Sequence, residues 1–196
     1  MLKYFRMSLI MGLMLAMTSI GFAQKAKTAG ELKAERVQLA KELKSKDASK
    51  REEKLGKLVQ KAPETTSLQS VDGLAITATG VLVAVVSNNE FFSAFKREIK
   101  DSGNGEIDVV AHKANLNDYL DLAKSLAVTS ALIATGTEQL KDARSDAKKL
   151  SPLQAKPVLK SVNYSSEALK LSGEEIGLQL KLINNLIATI KSSRNL

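Results

Sequence analysis

The sequence predicts an all-α protein, an elongated up-down bundle of about four helices with coiled-coil-like packing. Apolar residues recur every three or four positions through three long stretches of the chain, the spacing of helices that bury one face. Prolines and paired glycines separate these stretches, and a charged segment made of strong helix formers precedes them. The predicted organisation is a signal peptide over 1–23, a basic helix over 24–62 and a helical bundle body over 63–196.

The N-terminus has the three parts of a secretory signal peptide. Lys3 and Arg6 form a basic start, an apolar run follows, and Gly-Phe-Ala at 21–23 provides a cleavage site after Ala23. The apolar run is short for a membrane span, so a retained membrane anchor is the weaker alternative. The absence of cysteine excludes a lipoprotein, and the mature chain of about 173 residues is enough for one domain.

The net positive charge of the mature chain lies in its N-terminal segment. Residues 24–62 carry twelve Lys or Arg and six Asp or Glu, whereas residues 63–196 carry fifteen of each kind. Residues 44–54 contain no large apolar side chain, so we expect no core there, and either a solvated helix or a break between two short helices. Pro63 ends the segment. Three pairs of opposite charge at helical spacing support exposed helix: Glu42 with Lys46, Asp47 with Arg51, and Glu53 with Lys57.

Residues 73–89 contain no charge, which raises the question of a membrane span. As a helix, residues 73–87 would be about 22 Å long, against roughly 30 Å for the hydrocarbon core of a bilayer. The apolar seam also extends beyond this stretch, which favours a helix over 68–101 packed in a soluble core. The alternative is a β-strand pair, because Val and Thr are frequent there. The seam consists of Val71, Leu74, Ala78, Val81, Val85, Asn88, Phe92, Phe95 and Ile99.

Two further seams predict long helices over about 113–150 and 157–193. Two glycines mark a loop at 101–112. Pro152 suits a first helical turn, and Pro157 is expected to begin the last helix, because proline fits a helix start and not a helix interior. The seams are Tyr119, Leu122, Leu126, Thr129, Ile133, Gly136, Leu140, Ala143, Ala147 and Leu150, then Leu159, Val162, Ser166, Leu169, Gly173, Ile176, Leu180, Ile183, Ile187 and Ile190.

These two seams mirror each other when the chain is folded at 154–155. The pairing predicts an antiparallel helix hairpin in which Gly136 faces Gly173 at a close crossing. A close approach of the two backbones would offset the cost of about 1 kcal/mol that each glycine carries inside a helix. The alternative is two tolerated glycines that make no such contact.

The residue inventory argues against catalysis, and we predict no catalytic, cofactor or metal site. The absence of cysteine excludes thiol chemistry, and the single histidine, His112, excludes a multi-histidine metal site and is expected at the surface. No phosphate-binding loop or nucleophile motif is present. Glu174 and Glu175 lie on different helix faces, and a buried carboxylate site would need Glu90 to face inward. Asn88 on the seam is expected to fix helix register.

These features favour an exported, non-enzymatic protein that acts by binding or scaffolding in the bacterial cell envelope. The alternatives are a membrane-active protein that inserts residues 73–87 and a periplasmic chaperone-like binder. We expect a periplasmic or secreted protein that is not integral to the membrane and does not bind nucleic acid. The expected partner is an anionic envelope component or another protein. The predicted contacts of an anionic partner are Lys41, Lys44, Lys46, Lys50, Arg51, Lys54 and Lys57.

Overall fold

The computed structural model describes residues 27–66 and 68–193, which are 86% helical and contain no strand. The all-α prediction is therefore confirmed for this part of the chain, and the β-strand pair considered for 73–87 is wrong. The predicted signal peptide lies outside the described residues. The helices are α1 (Ala29–Lys44), α2 (Lys46–Val59), α3 (Gln69–Ser102), α4 (Val109–Lys113), α5 (Leu116–Ala147) and α6 (Pro152–Ser193).

The basic segment forms two helices separated by a single residue, Ser45. The backbone of Ser45 is extended (φ −68°, ψ 149°), which ends α1, and its hydroxyl accepts a hydrogen bond from the Ala48 amide at 3.1 Å, which caps α2. At the start of α1, Thr28 and Glu31 form a reciprocal capping box. Of the two predicted alternatives, the break between short helices is the one observed.

Helix α3 buries the face that the sequence predicts. Every member of its seam is buried except Asn88, which is half-buried. Among the helices that the structure describes, α3 is the one long and apolar enough to cross a membrane by length and composition. Its seam nevertheless forms part of the common core with α5 and α6. The uncharged stretch at 73–89 thus lies within a core helix that also has an uncharged outer side.

The prediction that Pro157 begins the last helix is wrong, because α6 begins at Pro152 and continues through Pro157. A proline at this position removes one helical hydrogen bond, to the carbonyl of Leu153. Leu153 is 91% exposed, so water can replace the missing donor. The helix therefore tolerates Pro157 close to its solvated first turn.

Helix α6 is buried over a wider face than its apolar seam predicts. A second line of residues with the same three-four spacing faces α1, α2 and α3. Many of its members are polar, which is why a search for apolar periodicity does not reveal it. The line consists of Ser161, Ser165, Ala168, Ser172, Glu175, Gln179, Leu182, Leu186 and Thr189, all buried.

Helices α3 and α6 lie against each other, with α1 and α2 packed on one side of the pair and α5 on the other. Helix α5 runs antiparallel to α3, since Ser70 donates to Asp146 at 2.8 Å and the Phe91 ring meets Tyr119 further along. The helices α1 and α2 both run antiparallel to α6, since Arg36 contacts Thr189 and Arg51, further along the chain, contacts Glu175. The basic helices and α5 thus occupy opposite sides of the molecule.

The predicted contact between Gly136 and Gly173 is wrong. A Cβ atom placed on Gly136 would lie 2.8 Å from Cδ2 of Leu169, and a Cβ atom on Gly173 would meet only Ile133, at 3.8 Å. The helices α5 and α6 are antiparallel as predicted, but their seams meet about one helical turn from the mirrored pairing. The side chain of Leu169 fills the space beside Gly136 in which the prediction placed the backbone of Gly173.

Candidate functional site

A buried arginine holds α1 in place. The guanidinium of Arg36 donates to the carbonyl of Gly105 at 2.6 Å, to Oδ1 of Asn185 at 3.0 Å and to the hydroxyl of Thr189 at 2.7 Å. Asn185 in turn donates to the carbonyl of Leu32 at 3.0 Å. These bonds connect α1 to α6 and to the loop after α3, so the charged helix is docked on the bundle.

A buried ion cluster holds α2 in the same way. Glu175 of α6 is completely buried, and its two carboxylate oxygens accept hydrogen bonds from Arg51 of α2 and Lys96 of α3, both at 2.8 Å. Lys96 also donates to Glu52 at 2.8 Å. Burial acts to raise the pKa of Glu175, but Lys96 and Arg51 outweigh it, so the pKa lies below its ordinary value. The carboxylate is therefore charged at neutral pH and joins three helices.

Two amides complete this cluster. Asn89 accepts from Lys96 at 2.7 Å and from Gln179 at 2.8 Å. The neighbouring Asn88 is the residue predicted to fix helix register, but its amide nitrogen is buried without a hydrogen-bond partner among the described residues. Glu90 is exposed, so the buried carboxylate is Glu175 and not Glu90. Glu175 lies outside the apolar seam of α6, in its mostly polar buried line, so apolar periodicity gave no signal for this role.

The ion cluster also corrects one of the predicted partner contacts. Arg51 is largely buried and paired with Glu175, so it does not face a partner, and the stretch 44–54 does contribute to the interior. The predicted pair of Asp47 with Arg51 is replaced by this longer-range pair. Glu42 likewise pairs with Lys181 of α6 at 3.1 Å instead of with Lys46. The predicted pair of Glu53 with Lys57 is present.

The remaining predicted contacts separate into two groups. Lys57 is paired with Glu53, and Lys54 lies 3.9 Å from Glu167. The other four are exposed, and none has a carboxylate within 4.0 Å in the part of the chain that the structure describes. We call these four the junction lysines, because they flank the break at Ser45: Lys41, Lys44, Lys46 and Lys50.

A second cluster surrounds His112, which is half-buried and not a surface residue as predicted. Its ring nitrogens lie 2.6 Å from a carboxylate oxygen of Glu98 and 2.7 Å from the hydroxyl of Tyr119. Phe95 meets the imidazole edge to face at 5.3 Å. Burial raises the pKa of Tyr119, which keeps the phenol protonated and makes it a poor nucleophile. Carboxylate, imidazole and hydroxyl are thus connected in the order of a proton relay, but the hydroxyl at its end is not activated.

Within the described ranges, no three His, Cys, Asp or Glu residues are placed to hold a metal ion. The cavity beside His112 is small, about 290 Å³, and is lined mainly by aromatic rings. A wider groove of about 520 Å³ lies over the ion cluster, where the ammonium of Lys96 is already bonded to three acceptors. The junction lysines are thus the charged groups of the predicted site that stay open to a partner.

The chain matches no protein-family model, no curated protein sequence and no solved structure.

Proposed function

We propose that this protein is an exported, non-enzymatic binding protein of the bacterial cell envelope, and that the junction lysines hold an anionic partner there. The observation that carries the proposal is the concentration of four exposed lysines around Ser45, at the meeting point of two docked helices, none of them paired with a carboxylate of the described residues. The phosphate groups of anionic lipid are the proposed ligand. Electrostatic attraction to such a surface acts over about 8–10 Å at physiological salt.

The way in which the basic helices are docked supports this proposal. Arg36 anchors α1 before the junction through buried hydrogen bonds, and Arg51 anchors α2 after it through a part-buried bond to Glu175. The junction lysines therefore extend from two fixed helix ends and not from a mobile tail. Of the two carboxylates in the same stretch, Glu42 is paired with Lys181 and Asp47 is exposed, so the local charge is positive.

The proposal is tested by binding of the processed protein to vesicles that contain phosphatidylglycerol, at low and high salt. Replacing the four junction lysines with glutamine should abolish binding at low salt. The matched control removes the same charge from exposed lysines of α6 and the turn before it, by the substitutions Lys148→Gln, Lys156→Gln, Lys160→Gln and Lys170→Gln. This control should bind as the parent does, because the junction lysines, and not the net charge, attract the anionic lipid.

Two results would contradict the proposal. The first is a parent protein that does not sediment with anionic vesicles even at low salt. The second is an equal loss of binding by the junction and control variants, which would make net charge, and not the junction, the determinant. Vesicles of neutral phosphatidylcholine serve as the reference for binding that does not depend on charge.

A membrane-active role is the second candidate, and the composition of α3 favours it. This helix is apolar enough to span a bilayer, and 33% of its most apolar window is buried. Insertion of residues 73–87 would, however, remove Leu74, Ala78, Val81 and Val85 from the common core. Release of a trapped dye from vesicles at protein concentrations that saturate binding would favour insertion over surface binding.

For the fold, we propose that the helices form an elongated up-down bundle with coiled-coil-like packing. In this arrangement α1 and α2 act as one segment, and α3, α5 and α6 are the other three. The antiparallel contacts of α5 with α3 and of α2 with α6 support it, among them the bond from Tyr164 to the carbonyl of Leu58 at 3.3 Å. The short turn between α5 and α6 supports an antiparallel pair as well.

A further inference from the structure

The outer sides of α3 and α5 each carry exposed apolar side chains. On α3, Ile76 is 75% exposed and Val83 is 48% exposed, and on α5, Val128 is 49% exposed and Leu132 is 45% exposed. These positions alternate with small residues such as Gly80. Isolated apolar residues on a surface are ordinary, whereas a continuous apolar surface marks a contact with another molecule. We call this surface the α3–α5 face.

The two lines of side chains belong to one surface. Thr77 of α3 lies beside Gly136 of α5, so the antiparallel helices meet along a line that both apolar rows flank. Neither 73–89 nor 125–137 contains a charged residue. The basic helices lie on the other side of the molecule, so none of the described elements covers the α3–α5 face.

The charges at the ends of this face indicate its occupant. Lys124 and Glu138 border the uncharged stretch of α5, both are exposed, and each is seven positions from Ala131. A separation of two heptads places them on the same side of the helix. If a second α5 packs antiparallel about an axis near Ala131, Lys124 of each copy meets Glu138 of the other. The face is therefore complementary to itself under two-fold symmetry.

The local structure permits this exchange of partners. Lys124 is paired with Asp121 at 2.7 Å, but both side chains are exposed, and such a pair contributes little to stability. A Cβ atom on Gly80 would meet nothing within 4 Å, so the backbone of another helix can approach there. Close approach offsets the cost of about 1 kcal/mol for a glycine inside a helix.

We propose that the α3–α5 face is a two-fold interface between two copies of this chain, formed by antiparallel packing of α5 on α5. The uncharged surface is two helices wide and roughly 20 Å long, so each copy contributes on the order of 400–600 Å². This is near the lower limit for a specific interface, and the expected dimer has a dissociation constant in the micromolar range. The proposal is independent of the junction lysines.

Sedimentation equilibrium of the processed protein, from micromolar to millimolar concentration, tests the interface. We expect a reversible monomer-dimer equilibrium. The double variant Val128→Lys with Leu132→Lys should remain monomeric throughout, with an unchanged helical circular dichroism spectrum, because both positions are exposed. The control Leu153→Lys changes a more exposed apolar residue away from the face and should dimerise as the parent does.

Charge reversal tests the two-fold register without touching apolar packing. Lys124→Glu or Glu138→Lys alone places like charges together twice in each dimer and should weaken association about fivefold. Combining the two substitutions should restore the parent affinity. The proposal is overturned if the parent is monomeric throughout, if the Val128→Lys with Leu132→Lys protein still dimerises, or if the double charge reversal does not restore affinity. A monomeric parent that binds neutral vesicles or an unfolded protein through this face would also overturn it.

Discussion

At the scale of single residues, Glu175 explains how a charged helix can form part of a stable interior. A completely buried carboxylate is tolerated because Arg51 and Lys96 supply opposite charge and hydrogen bonds to both of its oxygens. The same contacts join α2, α3 and α6, so this residue helps to decide where α2 lies, while Arg36 holds α1. The junction lysines are presented to solvent because Arg51 turns inward beside them.

Removing the charge of Glu175 should therefore destabilise the protein severely. We expect Glu175→Gln to lower the free energy of unfolding by about 3–5 kcal/mol, because Lys96 and Arg51 would keep buried positive charge without its partner. Urea unfolding followed by circular dichroism measures this change. The neighbouring Glu174→Gln, at an exposed position, should have little effect. Equal stability of the two variants would show that the ion cluster does not hold the helices together.

The same residue predicts a dependence of stability on pH. The folded protein has a pKa for Glu175 below its ordinary value of 4.5, so the unfolded chain binds a proton more readily than the folded one. This contribution to stability is fully present above pH 4.5 and is lost as the pH falls through the folded pKa. Melting temperatures between pH 7 and pH 3 should therefore fall less steeply for Glu175→Gln than for Glu174→Gln. Parallel pH profiles would contradict the assignment.

At the scale of elements, the packing of α5 on α6 depends on a glycine that faces a side chain. Gly136 leaves room for Leu169, whose methyl groups would lie 2.8 and 3.0 Å from a Cβ atom there. Gly177 in α6 has nothing within 4 Å of the same position. Both glycines carry the same helical cost, but only Gly136 is required by packing.

Substitutions at these two glycines should therefore change the free energy of unfolding in opposite directions. Gly177→Ala should raise the free energy of unfolding by up to about 1 kcal/mol, because alanine favours the helix. Gly136→Ala should gain little, since Leu169 must move, and Gly136→Leu should destabilise by about 1–3 kcal/mol through overpacking. Thermal unfolding of the three variants measures the order of their stabilities. A Gly136→Leu protein as stable as the parent would contradict the observed register of α5 and α6.

At the scale of the whole molecule, charge and apolar surface are separated onto opposite sides. The docked basic helices lie against α3 and α6, and the uncharged α3–α5 face lies away from them. A molecule of this kind can bind an anionic surface with one side and its own copy with the other. Pairing through the α3–α5 face would then turn the two basic sides of the dimer away from each other, so that each set of junction lysines faces a separate anionic surface.

The proposed location requires that the leader is removed during export. Expression from the full sequence in a Gram-negative host should yield a periplasmic protein whose N-terminus is Gln24, because the small-x-small site ends at Ala23. Mass spectrometry of the purified protein measures the cleavage point. An intact N-terminus recovered in the membrane fraction would instead support the retained anchor.

The sequence by itself determined the three long helices, because helix formation depends on residues three or four positions apart. The seam of α3 is readable from such spacing, and the paired glycines mark the connection that follows it, although Val109–Lys113 within the predicted loop forms the short helix α4. The polar line of α6 was not readable, because Glu175 and Gln179 interrupt the apolar pattern that signals burial. The signal peptide and the partners stay predictions.

Only the tertiary structure decided which charged residues turn inward and which stay free. Arg51 and Glu175 are 124 positions apart, and Lys96 and Glu175 are 79 apart, so no local spacing predicts that they meet. Seven basic residues look alike along the charged segment, yet packing turns Arg51 inward and leaves the junction lysines exposed. Likewise, a three-four repeat mirrors itself in several registers, and the shape of Leu169 selected the one in which it lies against Gly136.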